Sequence, residues 1–534
     1  MNKPINRALP VLLGAFLFSI IFWQEKLGVN TLLFGTFISA AIFYLYPGSL
    51  RSRAVAWLLL GQLACLAMVL LHNTLLSKIG FAVTLTLMAV FAEYKHRSPW
   101  FATGSLLTSI LFFPASLLET MQGSRQRPAR KSNSRFFILI RLSLLPLLLA
   151  AAFFLIYFSA NKVFQDMTTH LLYYLNYAWL FLAAYLSWQW LLLLLLGLLI
   201  CTIILLKSKT AYFSKKDQSM KDDLQRTRRT LARRMRQPVF SLMETVMGRL
   251  ARGPLALKYA HSMGAFSLAL LNILLLVVNS IDIRFLWLNQ ARNQEIPLYQ
   301  QLHEGTGLLT LSILLAMLVL LCFFRGNLNF YSKNGWLKFG AYCWILQNGL
   351  LTASVFLRDY DYIQQYGLTY KRLGVLFFLL MVLTGLLTVL VKIAQKKTSY
   401  FLFRVNAWAA VVVLVAACGI NWDQWIARYN LQHRDRVPLD LVFLLNLSDK
   451  TLPLLHQYKD ALVERQAELD RGQPASALIT LGNSPAYLIQ QLEQREQQFL
   501  QKQQQFSWLS WNYADAAVRN YLLAGNTVLP LQKP

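Results

Sequence analysis

The sequence predicts an all-α fold, a polytopic bundle of transmembrane helices, and three observations predict it. Apolar runs long enough to cross a bilayer recur along the chain. Of the 534 residues, 56% are hydrophobic and only 14% charged, with a mean hydropathy of +0.42, whereas an average soluble domain is nearer a quarter charged. The basic excess gathers in a few loops, as it does in loops on the cytoplasmic side of a membrane. Together these exclude a secreted disulfide scaffold, a coiled coil and a disordered chain.

Eleven spans are predicted, near 29–46, 54–72, 74–93, 100–118, 136–157, 185–206, 259–279, 305–324, 337–357, 373–392 and 403–420. The segment Ala8–Trp23 is a twelfth, short enough to lie in the interface or re-enter. No small-residue cleavage site follows it, since Gln24, Glu25 and Lys26 come next, so it does not read as a removed signal peptide. The aromatic run 162–184 suits an interfacial helix.

Charge sets the expected orientation. The net charge of +28 would suggest nucleic acid in a soluble protein, but here the positive-inside rule accounts for it. Residues 119–135 hold five bases against Glu119, and residues 207–236 hold eleven against Asp217, Asp222 and Asp223. Both are expected inside, with 421–534 outside; that last region has eleven acids and eleven bases. Four parts follow: membrane helices over 1–206, a basic cytoplasmic loop over 207–258, membrane helices over 259–420, and a small helical extracytoplasmic domain over 421–534. Within the loop, 221–236 reads as a basic helix ending before Pro238, and 239–250 as an apolar helical stripe. Its Arg228, Arg229, Arg233 and Arg234 are the candidates for binding anionic lipid headgroups or a cytoplasmic protein partner. In the last part, helices are expected over 439–470 and 484–505, with an amphipathic aromatic segment from Phe506 to Leu523.

The five cysteines all fall in apolar stretches without the spacing of a metal site or redox pair, and read as packing residues. Polar groups inside a membrane are costly and face the protein interior, so they are the candidate site. Gln347, Ser354, Arg358 and Tyr362 share one helix face by their spacing. His303, with Thr306 and Thr310, falls at the same expected depth. A ligand pocket of His303, Gln347, Ser354, Arg358 and Tyr362 is therefore expected, with Arg358 facing an anionic ligand or an opposing carboxylate. Asn272 and Asn279, seven apart, read as interhelical hydrogen-bond donors. The pair Asp359 and Asp361 reads as two loop acids balancing Arg358 and Lys371 more readily than as a cation site. No phosphate loop, HExxH, GxSxG or cysteine pair occurs, so no catalytic residue, cofactor or metal is expected.

Several stretches resemble a bacterial family of polytopic membrane proteins catalogued as domain of unknown function 4173, akin to family 4153. They are Ile21–Asn30, Tyr299–Thr306, Gln347–Arg372 with its Tyr366-Gly367-Leu368-Thr369, and Asn421–Asn430 with its Ile426-Ala427-Arg428-Tyr429-Asn430. The resemblance runs nearly end to end and implies a membrane protein with a non-membrane tail, without implying a reaction. On physical grounds the 366–369 stretch is a turn between two spans, with Gly367 supplying an unusual backbone angle and Thr369 capping the next helix. Three functions stay open: a sensor or regulatory membrane protein, placed first; a transporter of a small or anionic solute, against which no internal repeat of the span pattern is found; and a lipid-linked glycosyltransferase-like enzyme. Enzymes of that last kind resemble one another in an acidic residue in the first outer loop, and here no Asp precedes Asp166.

Overall fold

The computed structural model describes residues 7–121, 187–206, 210–225, 256–287, 298–324, 327–437, 439–460, 462–463 and 485–524, with scattered positions between 146 and 169. Within these the chain is all helical. The membrane part comprises α1 (Ala8–Ile21), α2 (Val29–Leu45), α3 (Arg53–Leu71), α4 (Leu75–Glu93), α5 (Pro99–Met121), α6 (Trp188–Leu205), a short α7 (Tyr212–Ser219), α8 (Ala256–Asp282), α9 (Leu298–Phe323), α10 (Gly335–Tyr366), α11 (Tyr370–Ala394) and α12 (Ser399–Ala417). Ten of the eleven expected spans coincide with these helices, and 136–157 lies outside the described residues, as does most of 162–184. Seven described helices, α3, α4, α5, α6, α8, α11 and α12, are long and apolar enough to cross a membrane.

The surface pattern of α8 says what surrounds it. Phe266, Leu270, Ile273 and Leu274 are 59–72% exposed, while Asn279 is 3% exposed. Apolar groups outside and amides inside is the arrangement a helix adopts in hydrocarbon. The helix ends are set by side chains: Thr74 accepts from Ser77 N, Ser187 from Trp190 N and Thr398 from Phe401 N, each satisfying an N–H that a helix start leaves free.

By chain contacts the structure divides into two units. One comprises Met1–Glu25, Thr36–Leu45 and Thr108–Lys209; the other comprises Lys26–Gly35, Tyr46–Leu107 and Thr210–Pro534. In the first, α1 packs along α6, burying Val11, Ala15, Cys201 and Leu205. In the second, one core joins α8 to α11 through Leu268, Ile313, Leu337, Trp344, Val382 and Leu386. Another lies where α10 and α11 meet the polar tail, through Ile363, Leu368, Ile426, Leu431, Leu455 and Leu492.

The tail forms α13 (Trp422–Gln432), α14 (Leu441–Leu445), α15 (Leu452–Gln457), α16 (Pro485–Gln504) and α17 (Tyr513–Leu523). The helical stretch expected over 439–470 is divided into short helices where it is described. Asn446 ends α14, Pro453 stands in the first turn of α15, where a missing N–H costs nothing, and 464–484 lie outside the described residues. The expected helix from Lys221 is also corrected, because 220–225 are non-helical and Asp223 bridges to Lys397.

Candidate functional site

Among the described residues of the larger unit, the most densely bonded polar centre is Asp217, on α7 in the basic loop. It is fully buried, and an isolated carboxylate there would be strongly disfavoured. It survives because four donors converge on it. Tyr400 Oη donates to Oδ1 at 2.5 Å; Oδ2 takes the backbone N–H groups of Arg97 at 2.7 Å and Ser98 at 3.2 Å and His96 Nδ1 at 3.1 Å. Burial alone pushes the carboxyl upward, but the bonds from His96, Tyr400, Arg97 and Ser98 outweigh it and hold the group below its ordinary 3.8.

Asp222 and Asp223 continue the contact. Asp222 Oδ2 accepts from Arg97 Nη2 at 2.5 Å and Arg404 Nη2 at 3.1 Å, and Asp223 Oδ1 accepts from Lys397 Nζ at 2.6 Å. The backbone follows, with Thr398 N donating to Asp222 O and Leu224 N to Lys396 O. Asp217, Asp222 and Asp223, the three acids of residues 207–236, therefore anchor that segment to the α4–α5 turn and the start of α12. Charge counting, which treated them as a subtraction, missed this. The signal was there: three acids within seven residues of a basic segment, and the short run His96-Arg97-Ser98 between two spans.

Ser105, His96 and Asp217 also form a line with the spacing of a nucleophile relay. His96 Nε2 stands 3.0 Å from Ser105 Oγ, and Nδ1–H points to the carboxylate, which can only accept. Two features set it apart from a working relay. Ser105 is 2% exposed, with the His96 and Asp217 side chains at 0% and the rings of Phe91 and Tyr94 packed against the imidazole. Ser105 also sits in the second turn of α5, where backbone N–H groups are committed to helix bonds and leave no donor pair for an oxyanion.

The residues singled out from the sequence lie on a different face. Helices α8 and α10 run parallel and meet along a polar seam. Asn272 Nδ2 donates to Gly340 O at 2.9 Å and Asn279 Nδ2 to Gln347 O at 3.0 Å, both across 68 residues. Gln347 Nε2 donates to Asn272 Oδ1 at 3.1 Å. The same register continues past α8 into a π-turn at Ile283–Trp287, from which Trp287 Nε1 donates to Ser354 Oγ at 3.1 Å. Steps of seven on both helices keep one face in contact, as in a left-handed coiled pair. At its end Arg358 Nη2 donates to Asp282 Oδ1. Gln347, Ser354 and Arg358 are thus brought to one seam. Tyr362 is turned to Tyr366 and lies under the Arg372 guanidinium at 4.3 Å. His303 is on α9, and its side chain and that of Thr310 lie outside the described residues.

Four buried atoms of the seam have no hydrogen-bond partner among the described residues: Asn279 Oδ1, Gln347 Oε1, Asp282 Oδ2 and Arg358 Nε. Asp359 is not in a loop, because α10 continues to Tyr366, and Arg358 is balanced by Asp282 instead of the 359/361 pair. Among the described residues no group of three or more His, Cys, Asp or Glu side chains can hold a metal. Arg228, Arg229, Arg233 and Arg234, and the stripe 239–250, lie outside the described residues.

The turn at 366–369 is built as a clamp. Gly367 has φ +80°, an angle that favours glycine, and Leu368 is held on both backbone groups by Asn430. Thr369 occupies the cap position of α11, but its side chain makes no capping bond, because the clamp and Arg372, which donates to the Tyr366 and Gly367 carbonyls, already fix the turn.

Described residues that are all helical, with seven membrane-length apolar helices and an internal polar seam among them, define a polytopic integral membrane protein. A family model described as Domain of unknown function (DUF4153) matches residues 11–458, and the chain belongs to that family. No curated protein and no solved structure matches it. The clamp and both polar centres fall wholly inside the family match, whereas α16 and α17 lie beyond it.

Proposed function

We propose that this is a regulatory membrane protein in which the arrangement of the helices is passed to the basic loop. The observation that supports the reading is the Asp217 anchor: a loop that served only as a topology signal would need no buried carboxylate with four donors. In this reading residues 210–225 are the fixed end of the loop. The segment holding Arg228, Arg229, Arg233 and Arg234 is the responsive end, binding anionic headgroups or a cytoplasmic protein. The loop faces the cytoplasm of a bacterial cell and 421–534 face outward, as the charge distribution favours.

The test is tryptic cleavage at Arg228 and Arg229 in the full chain reconstituted in bilayers. Anionic lipid is expected to protect these sites, protection is expected to fade in high salt, and Asp217→Asn is expected to raise cleavage. Equal cleavage in neutral and anionic bilayers, unchanged by Asp217→Asn, removes the reading. Labelling of Ser105 by a serine-reactive phosphonate, absent in Ser105→Ala, would favour an enzyme instead.

A second reading, transport of a small or anionic solute, is favoured by the four unpartnered atoms of the α8–α10 seam. There Gln347, Ser354 and Arg358 would line the path, with His303 contributed by α9, Arg358 being the fixed positive charge. Solute-dependent protection of a cysteine placed at Ser354, lost in Arg358→Gln, supports it; no protection by any anionic solute tried removes it.

A further inference from the structure

The stretch between α16 and α17 is built inside out. Ser510 is 7% and Asn512 1% exposed, while Trp508, Trp511 and Tyr513 are 68%, 48% and 60% exposed. Globular proteins bury aromatic side chains and leave serine and asparagine outside. The inversion has a local cause. Ser510 Oγ accepts from Lys26 N at 2.7 Å and donates to Lys26 O at 3.2 Å, and Val29 N donates to Trp511 O at 3.2 Å. Asn512 Oδ1 caps α17 by accepting from Asp515 N at 2.9 Å. With the polar groups turned to the protein, the three aromatic rings are turned away from it.

The contact with Lys26 and Val29 also fixes where those rings are. Val29 is the first residue of α2, a 17-residue apolar helix, so 508–513 lie level with the start of an apolar helix. Gly28 permits this closeness, since a Cβ there would stand 2.6 Å from Ser510 C and O and from Trp511 O. Lys26 Nζ lies over the Phe506 ring at 4.5 Å, adding a charge at the same level. Tryptophan and tyrosine concentrate at this depth of a membrane, where an apolar ring and a polar edge are both accommodated.

We infer that Trp508, Trp511 and Tyr513 form a bilayer-docking face, through which the tail rests on the lipid interface where residues 26–28 emerge. The partner is the phospholipid headgroup and upper acyl region, not a soluble ligand. Three aromatic rings aimed outward at the rim of an apolar helix are otherwise an exposed apolar patch with no reason to persist in water.

The test uses the full chain in nanodiscs made with phospholipid brominated high on the acyl chain. The emission of Trp508 is taken as the difference between the parent and Trp508→Phe, and that of Trp511 from Trp511→Phe. Both positions are exposed, so neither change is expected to disturb the fold, which an unaltered thermal transition checks. The expected result is that brominated lipid removes the larger part of both difference signals, while aqueous iodide removes little. Quenching by iodide and not by brominated lipid would place the face in water and overturn the inference. Resistance to both quenchers would also overturn it, by showing the rings covered by protein.

Discussion

Asn430 holds Leu368 by both of its backbone groups. Its Oδ1 accepts from Leu368 N at 2.6 Å and its Nδ2 donates to Leu368 O at 2.9 Å, across 62 residues. The asparagine thus imitates a β-ladder partner for a residue that belongs to no sheet. The α10–α11 turn and α13 become one piece, with Ile363, Leu368, Ile426 and Leu431 buried beneath it. The two stretches that most resemble a known family, 366–369 and 426–430, are the two halves of this joint.

Gly367→Ala is therefore expected to be among the most damaging single changes in the chain. The new Cβ would meet Asn430 Oδ1 at 2.5 Å and Val437 Cγ1 at 2.8 Å, on a backbone with φ +80°. Strain of this kind costs about 1–3 kcal/mol, and loss of the clamp adds to it. Asn430→Ala leaves two buried backbone groups unpaired, each worth about 1–3 kcal/mol, and Asn430→Asp keeps the acceptor but sets a buried anionic oxygen against the Leu368 carbonyl. Unfolding transitions in detergent should place Gly367→Ala, Asn430→Ala and Asn430→Asp all below the parent, and a parental transition for either Asn430 variant would show that the clamp does not hold the turn.

How much of this was legible follows from what each feature is made of. Spans are local composition, and α2–α6, α8, α11 and α12 lie within a few residues of the runs read from hydropathy, whereas α9 begins earlier and α10 runs on to Tyr366. The heptad spacing of Asn272 and Asn279, and that of Gln347 and Ser354, was also legible, because a shared helix face is a matter of counting. What counting cannot supply is a partner far away in sequence. Nothing near Arg358 names Asp282, and nothing near Asp217 names Tyr400, 183 residues on. The clamp was half legible: Gly367 marked a turn, but assigning the cap to Thr369 overlooked Asn430, whose role depends on α13 folding back.

The Asp217 anchor gives a graded prediction. Tyr400→Phe removes one donor from a carboxylate that keeps three, and is expected to cost about 1.5–3 kcal/mol, the range for a bond to a charged group. Asp217→Asn replaces an acceptor of four bonds by a group that must itself place two N–H donors among donors. It is expected to cost more, about 3–5 kcal/mol, as breaking a buried charged network does. Amide exchange at 94–98 and 212–219 should show both losses locally. Equal effects of the two variants would mean that Tyr400 is not an independent contributor.

Lys450 supplies a pH dependence. It is 8% exposed and donates to Asn73 O at 2.6 Å. Burial pushes its ammonium down from 10.5 to about 8, with Lys78 adding to the shift and Asp515, Asp423 and Asp449 opposing it. Between about 8 and 10.5 the unfolded chain holds a proton that the folded chain has released, so folding stability should rise with pH across that window and be flat below it from this group. In Lys450→Met the rise should vanish, which comparing the two unfolding transitions at pH 7.5 and pH 10 (roughly the two sides of the window) would reveal.

The Arg358–Asp282 pair yields a cycle of variants. Asp282 has a side chain 6% exposed against 20% for Arg358, so the carboxylate depends on the guanidinium more than the reverse. Removing one member of a buried pair leaves the other charge without compensation, at about 3–5 kcal/mol. Arg358→Gln should therefore destabilise strongly, Asp282→Asn less, and the double variant less than Arg358→Gln alone, because two neutral amides can bond across the seam. Arg358→Lys keeps the charge but loses the planar fork of donors and should fall between the parent and Arg358→Gln. The coupling energy from the four unfolding transitions reads the pair directly. Additive effects would show that the two side chains act independently and that the seam is held by its amides alone. If Arg358→Gln keeps parental stability yet abolishes solute protection at Ser354, the guanidinium serves a ligand and Asp282 only orients it.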